Sequence, residues 1–145
     1  MTATDPFTLD SRLLADTRRL GATPACELLL MNDARWPWLI LVPRVAAVSE
    51  LHALPAPLAE RVFADVAAAS QAMQRATGCR SVNVAALGNV VAQLHIHVVA
   101  RDAGDPNWPR PVWGVGVAEP YADGATPGFA QAVAAAVLER ASGGG

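Results

Sequence analysis

The stretch Val90–Arg101, VVAQLHIHVVAR, constrains the fold most, because its side chains alternate in character with a period of two. Gln93, His95 and His97 fall on one side, and Leu94, Ile96 and Val98 on the other. Successive side chains of a β-strand point to opposite faces, so this spacing predicts a strand over 90–101 with three nitrogen-bearing groups in a row. The β-branched residues Val90, Val91, Ile96, Val98 and Val99 favour a strand over a helix. Two imidazoles on a packed strand are costly unless polar groups meet them, so function is sought on this face.

The rest of the chain supplies layers around that strand. Leu9, Leu13, Thr17 and Leu20 recur at helical spacing, with Asp10 or Ser11 as N-cap and Gly21 as stop, and predict a short amphipathic helix. Cys26–Met31 and Trp38–Val42 predict an antiparallel pair joined by the turn Asn32–Pro37. The second run is apolar throughout and closed by Pro43, as in a strand covered on both faces. Ser49–Leu54 reads as one helical turn. From Pro57 to Thr77 the apolar positions keep a helical period up to the stop at Gly78, which predicts the long helix of the chain. Arg80–Ala85 alternates as a strand, and Leu87-Gly88-Asn89 turns into the histidine strand. After Arg101 the prolines 106, 109 and 111, with Trp108 and Trp113, predict an ordered loop over 102–116. An Ala-rich helix over 128–141 and a flexible end, Ser142–Gly145, complete the chain. The order predicts an α+β fold: an antiparallel sheet with one long helix packed on it, plus short N-terminal and C-terminal helices. The expected divisions are a flexible lead-in at 1–6, a domain at 7–116 and an extension at 117–145.

With 145 residues the chain suits a single domain. A net charge of −2 argues against a broad surface for duplex nucleic acid, but not against a small phosphate-bearing ligand held by imidazoles and backbone N–H groups. Cys26 and Cys79 are the only cysteines, and Met1–Phe7 has no cationic start followed by an apolar run. The expectation is a reduced, cytoplasmic protein whose cysteines are small buried hydrophobes. Its apolar runs are too short for a membrane partner.

Three chemistries account for a His-x-His pair. A shared metal ion needs a third ligand, and only His52, the cysteines and scattered carboxylates could supply one. Two core histidines need a polar partner for every ring nitrogen, and Gln93 alongside adds to that demand. The third is nucleophilic catalysis at phosphorus: neutral imidazole attacks through its unprotonated nitrogen, and a neighbour on the same face donates to the phosphoryl oxygens. The phosphate reading is preferred, with no metal and no cofactor. His52 reads as a surface residue.

Gln93-Leu94-His95-Ile96-His97-Val98-Val99 resembles the signature of the histidine triad (HIT) superfamily, with Gln at the first triad position. Leu39–Arg44 is similar to that family's apolar strand ending in Pro and a basic residue. Val82-Asn83 with Leu87-Gly88-Asn89 resembles its Asn strand and Gly turn, and Trp108-Pro109 with Trp113-Gly114 the tryptophan tail of its phosphoramidase branch. The resemblance implies a HIT-like sheet, a homodimer, and hydrolysis or transfer at the α-phosphate of a nucleoside phosphoramidate or dinucleoside polyphosphate. It assigns His95 as nucleophile, with His97, Gln93, Asn89 and Asn83 at the phosphate and Asp33 near the ribose; Asn32-Asp33 reads equally well as a hairpin turn. Trp38 stands where the family often has a histidine, and Val90 where it often has a hydroxyl. These departures imply slower or narrower hydrolysis than in full-triad members. They leave a nucleotide-binding signalling module as the alternative, and a His-based metal protein using His95, His97 and His52 or Cys26 as a third.

Overall fold

The computed structural model describes residues 6–143. Of the lead-in expected at 1–6, residues 1–5 lie outside the described residues, as do 144–145 of the end expected at 142–145. Helix α1 (Ser11–Asp16) leads into strands β1 (Thr17–Ala22), β2 (Cys26–Met31) and β3 (Trp38–Pro43). A 3₁₀ turn at Leu51–Ala53 precedes helix α2 (Ala56–Thr77), and strands β4 (Ser81–Ala86) and β5 (Ile96–Arg101) follow. Helix α3 (Gly128–Gly143) comes last. The strands form one antiparallel sheet in the order β1-β2-β3-β5-β4.

The sheet has two unlike faces. On one, Leu28, Leu30, Leu39, Leu41, Ile96 and Val98 pack against Val62, Val66, Ala69 and Met73 of α2 and Ala130, Val133 and Val137 of α3. Burying a side chain of this size contributes about 2 kcal/mol, so this contact is the main source of stability. Gly78 ends α2 in the left-handed region, φ 67°, and its N–H donates to the Gln74 carbonyl, as the sequence pattern required. The opposite face carries Leu29, Trp38, Ile40, Val42 and Val99 beneath Leu13, Trp36 and Val112. Strand β3 feeds both faces and is buried at all six positions, which is why it reads as an unbroken apolar run.

Three expectations need correction. The first helix stops at Asp16, and Thr17–Ala22 is an edge strand paired with β2. Leucines of similar spacing had suggested one helical face, but Leu13 packs on one side of the sheet and Leu20 on the other, which a single helical stripe cannot do. Pairing with β2 also satisfies backbone groups that local propensity ignores. Asp10 does cap the helix, accepting from the Arg12 N–H. The second correction is the histidine strand, which starts at Ile96 rather than Val90: pairing with both β3 and β4 ends at Ile96, and Val90 is exposed. The C-terminal helix extends to Gly143, so Ser142 and Gly143 form its last turn rather than a flexible end. It buries three side chains in the main core.

Candidate active site

His97 lies on β5 opposite Ile40, on the face away from the long helices. His95 lies just ahead of the strand, yet its ring stands 4.9 Å from that of His97 at 68°, so the two imidazoles remain neighbours. Both are buried.

Their hydrogen bonds assign their protons. His95 Nδ1 is 2.7 Å from the Gln93 carbonyl oxygen. A carbonyl only accepts, so Nδ1 carries the proton and donates, which leaves the Nε2 lone pair free. At His97 the order reverses: the Trp38 indole N–H donates to Nδ1 at 2.9 Å. An indole N–H only donates, so the His97 Nδ1 is unprotonated and its proton sits on Nε2. Burial, reinforced by His95, pushes the His97 pKa down to about 4 and keeps the ring neutral at physiological pH. One imidazole thus offers a nucleophilic nitrogen and its neighbour an N–H donor, the pair that attack on a phosphoryl group needs.

His95, His97 and Asn89 line one cavity of about 370 Å³, walled by Leu13, Ile40, Val91 and Trp113. The Trp113 ring meets His97 edge-on at 5.0 Å, so the chain's own Pro/Trp segment closes its own site. That segment is anchored from below: buried Arg101 holds Asp105 through two bonds, 2.6 and 3.1 Å, and donates to the Arg110 carbonyl at 2.7 Å.

Three expected phosphate or ribose contacts are engaged elsewhere. Gln93 spends its amide on the N-terminal segment, donating to the Thr8 carbonyl and accepting from the Asp10 N–H, both at 2.8 Å. Its contribution to the histidines is its backbone carbonyl. Asn83 accepts from Arg101 at 3.0 Å and stabilises that buried guanidinium. Asp33 is buried, and Arg35 donates to it from Nε at 2.9 Å and from a terminal nitrogen at 2.8 Å. Burial alone would raise its pKa, but the Arg35 bonds and the Glu119 N–H together hold it low. Asp33 therefore shapes a neighbouring cavity, shared with Trp113 and Gly116, as an ion pair rather than a free carboxylate. Asn89 is the expected contact that reaches the histidine cavity with its surroundings open.

His52 is exposed in its short turn, as expected. Among the described residues no three His, Cys, Asp or Glu side chains gather as metal ligands. Cys26 and Cys79 are free and buried, and burial, reinforced by Asp65, pushes the Cys26 thiol up to about 12. Among the described residues no helix is long and apolar enough to cross a membrane. What the sequence reading missed is the contact of two tryptophans with His97. Trp38 reads as the start of the apolar strand and a departure from the family's histidine, and Trp113, 16 residues beyond His97, as part of a tryptophan tail.

A five-stranded antiparallel sheet presenting two adjacent, oppositely protonated imidazoles defines a histidine-triad type of protein. The HIT domain family profile matches residues 13–104, and the chain belongs to that family. Among solved structures it is similar to a histidine triad protein from Marinobacter aquaeolei, at 43% identity over 93% of this chain and 98% of that one, TM-score 0.84. A histidine triad protein from Sinorhizobium meliloti is 42% identical over 94% and 98% of the two chains, TM-score 0.83. One from Bradyrhizobium japonicum is 37% identical over 91% and 98%, TM-score 0.87. A comparison with curated proteins finds no match.

Proposed function

We propose that the chain is a nucleotide hydrolase or transferase in which the His95 Nε2 attacks the α-phosphorus of a nucleoside phosphoramidate or dinucleoside polyphosphate. The observation that carries this reading is the bond from His95 Nδ1 to the Gln93 carbonyl, which leaves the Nε2 lone pair free on a ring that lines the shared cavity. The leaving group departs with the electron pair of its bond to phosphorus. Water then attacks the nucleotidyl-histidine, the P–N bond breaks, and the His95 nitrogen recovers its lone pair. His97 Nε2–H and the Asn89 amide hold the phosphoryl oxygens as charge spreads over them.

The test is intact-mass analysis after rapid mixing with substrate. The wild type gains one nucleotidyl group, and His95→Ala gains none and loses turnover by roughly 10³-fold or more. Unchanged turnover in His95→Ala would end the reading. A second reading, a nucleotide-binding module with little chemistry, draws on the commitment of Gln93 and Asp33 to internal bonds. Calorimetry showing tight binding with no hydrolysis would favour it.

The reading includes a homodimer. Strand β4 ends the sheet with one side unpaired, and exposed Phe63, Val84 and Leu51 line an apolar groove of about 350 Å³ beside it. Unprotected edges of this kind favour pairing with another strand. Sedimentation that gives a dimer, and a monomer for Phe63→Asp, supports it.

A further inference from the structure

Resting on the proposed attack by His95, we propose that Trp38 locks His97 as a neutral Nε2–H donor, and that the site therefore selects phosphoric-anhydride leaving groups over amines. A protonated histidine beside the scissile bond could do two things, hold a phosphoryl oxygen and hand a proton to the departing atom. The Trp38 indole N–H occupies the His97 Nδ1 lone pair at 2.9 Å, with both side chains at most 4% exposed. A second proton on His97 would have to displace that buried bond and strand the indole N–H, which costs about 1–3 kcal/mol. The ring therefore holds oxygens but gives up no proton, since a neutral imidazole is a negligible acid.

The other polar groups of the cavity offer no substitute. The His95 Nδ1 proton is bonded to the Gln93 carbonyl. The Thr17 hydroxyl donates to the Leu13 carbonyl at 2.6 Å. Asn89 donates hydrogen bonds without releasing a proton, and Asp16 sits exposed at the rim, open to solvent. His97 thus faces His95 from the loop, Trp38 from β3, Trp113 from the tail and Asp16 from α1. Glu50 and His52 line a second cavity that His95 also borders.

The consequence follows from the bond that breaks. When the P–O bond of an anhydride breaks, the electron pair leaves on a phosphate oxygen that is stable as an anion and needs no proton. When the P–N bond of an alkylphosphoramidate breaks, the pair leaves on nitrogen, and an unprotonated amide ion is prohibitively basic. A positioned acid contributes about 10²–10⁴-fold in such steps. Without one, kcat/KM for a diadenosine polyphosphate should exceed that for an adenosine alkylphosphoramidate by at least about 100-fold.

Two measurements test this. In ¹⁵N-histidine NMR spectra of the wild type, His97 shows an unprotonated Nδ1 and a protonated Nε2 down to about pH 5, well below the ordinary imidazole midpoint. Trp38→Phe frees the His97 Nδ1 lone pair and shows mixed tautomers at about pH 6. A cationic His97 in the wild type at that pH, or ring signals unchanged by Trp38→Phe, overturns the lock whether or not the protein turns over. Kinetics give the selectivity, and His52→Asn leaves the ratio unchanged. Amine turnover equal to anhydride turnover, or dependent on His52, overturns it. Failure of His95 to form an adduct with either substrate would instead sink the proposed reaction and leave the tautomer result standing.

Discussion

The two faces of the sheet share the same strands but hold their contents by different physics. Beneath α2 and α3 the face is hydrocarbon, Leu28, Leu39, Leu41 and Val98 among it, and any residue of similar shape would serve nearly as well. On the other face stand His97, Arg101 and the ring of Trp38, each buried and each given a specific partner. The first face supplies stability through area. The second positions chemistry through pairing, and loses heavily when a single partner is removed.

That contrast can be broken from either side. Asp105→Asn leaves Arg101, 1% exposed, with an uncompensated buried charge, and should cost about 3–5 kcal/mol in denaturant unfolding. Such a loss also frees the Pro/Trp segment that carries Trp113. Leu41→Ala on the helical face should cost about 2–5 kcal/mol by transfer and cavity, while the folded fraction keeps its activity. If Leu41→Ala altered the ring tautomers of His95 or His97, the separation of the faces would be wrong.

The pH dependence sharpens the same contrast. His97 binds its proton with a pKa of about 4 when folded against 6.5 for the ordinary group. Between those values the unfolded chain binds more protons, so stability falls as pH falls from 6.5 to about 4, at a slope approaching about 1.4 kcal/mol per pH unit. The contribution is fully present above pH 6.5 and constant again below about 4. His97→Asn should flatten this part of the curve, and an unchanged slope would assign it to other groups. The smallest effect belongs to Gln93→Leu, which removes two bonds to Thr8 and Asp10 worth about 0.5–1.5 kcal/mol each. Amide exchange at Asp10 should quicken, with most of the global stability kept.

The helical face was largely legible in the sequence, because area-driven burial writes itself as periodicity: α2, β2, β3 and the stop at Gly78 all follow from local pattern. The histidine face was legible only in part. Alternation put His95 and His97 side by side, correctly, although His95 reaches its place from a loop. The roles of Gln93 and Asn83 were not readable, since Gln93 is bonded to residues 83 and 85 positions away and Asn83 to Arg101. Asp33 is different: Arg35, two residues on, was visible, and an ion pair at that spacing could have been weighed against a ribose contact. β1 was lost because its leucine fitted a helical period with leucines that belong to the other side of the sheet.

The proposed chemistry needs one phosphoryl group to meet both imidazoles. A crystal soaked with a nucleoside monophosphate tests that directly. A phosphate oxygen is expected within hydrogen-bond reach of the His97 Nε2, with the phosphorus facing the His95 Nε2, in the cavity under Trp113. A phosphate lodged instead between Arg61 and Arg140, in the cavity beside Pro24, would contradict it.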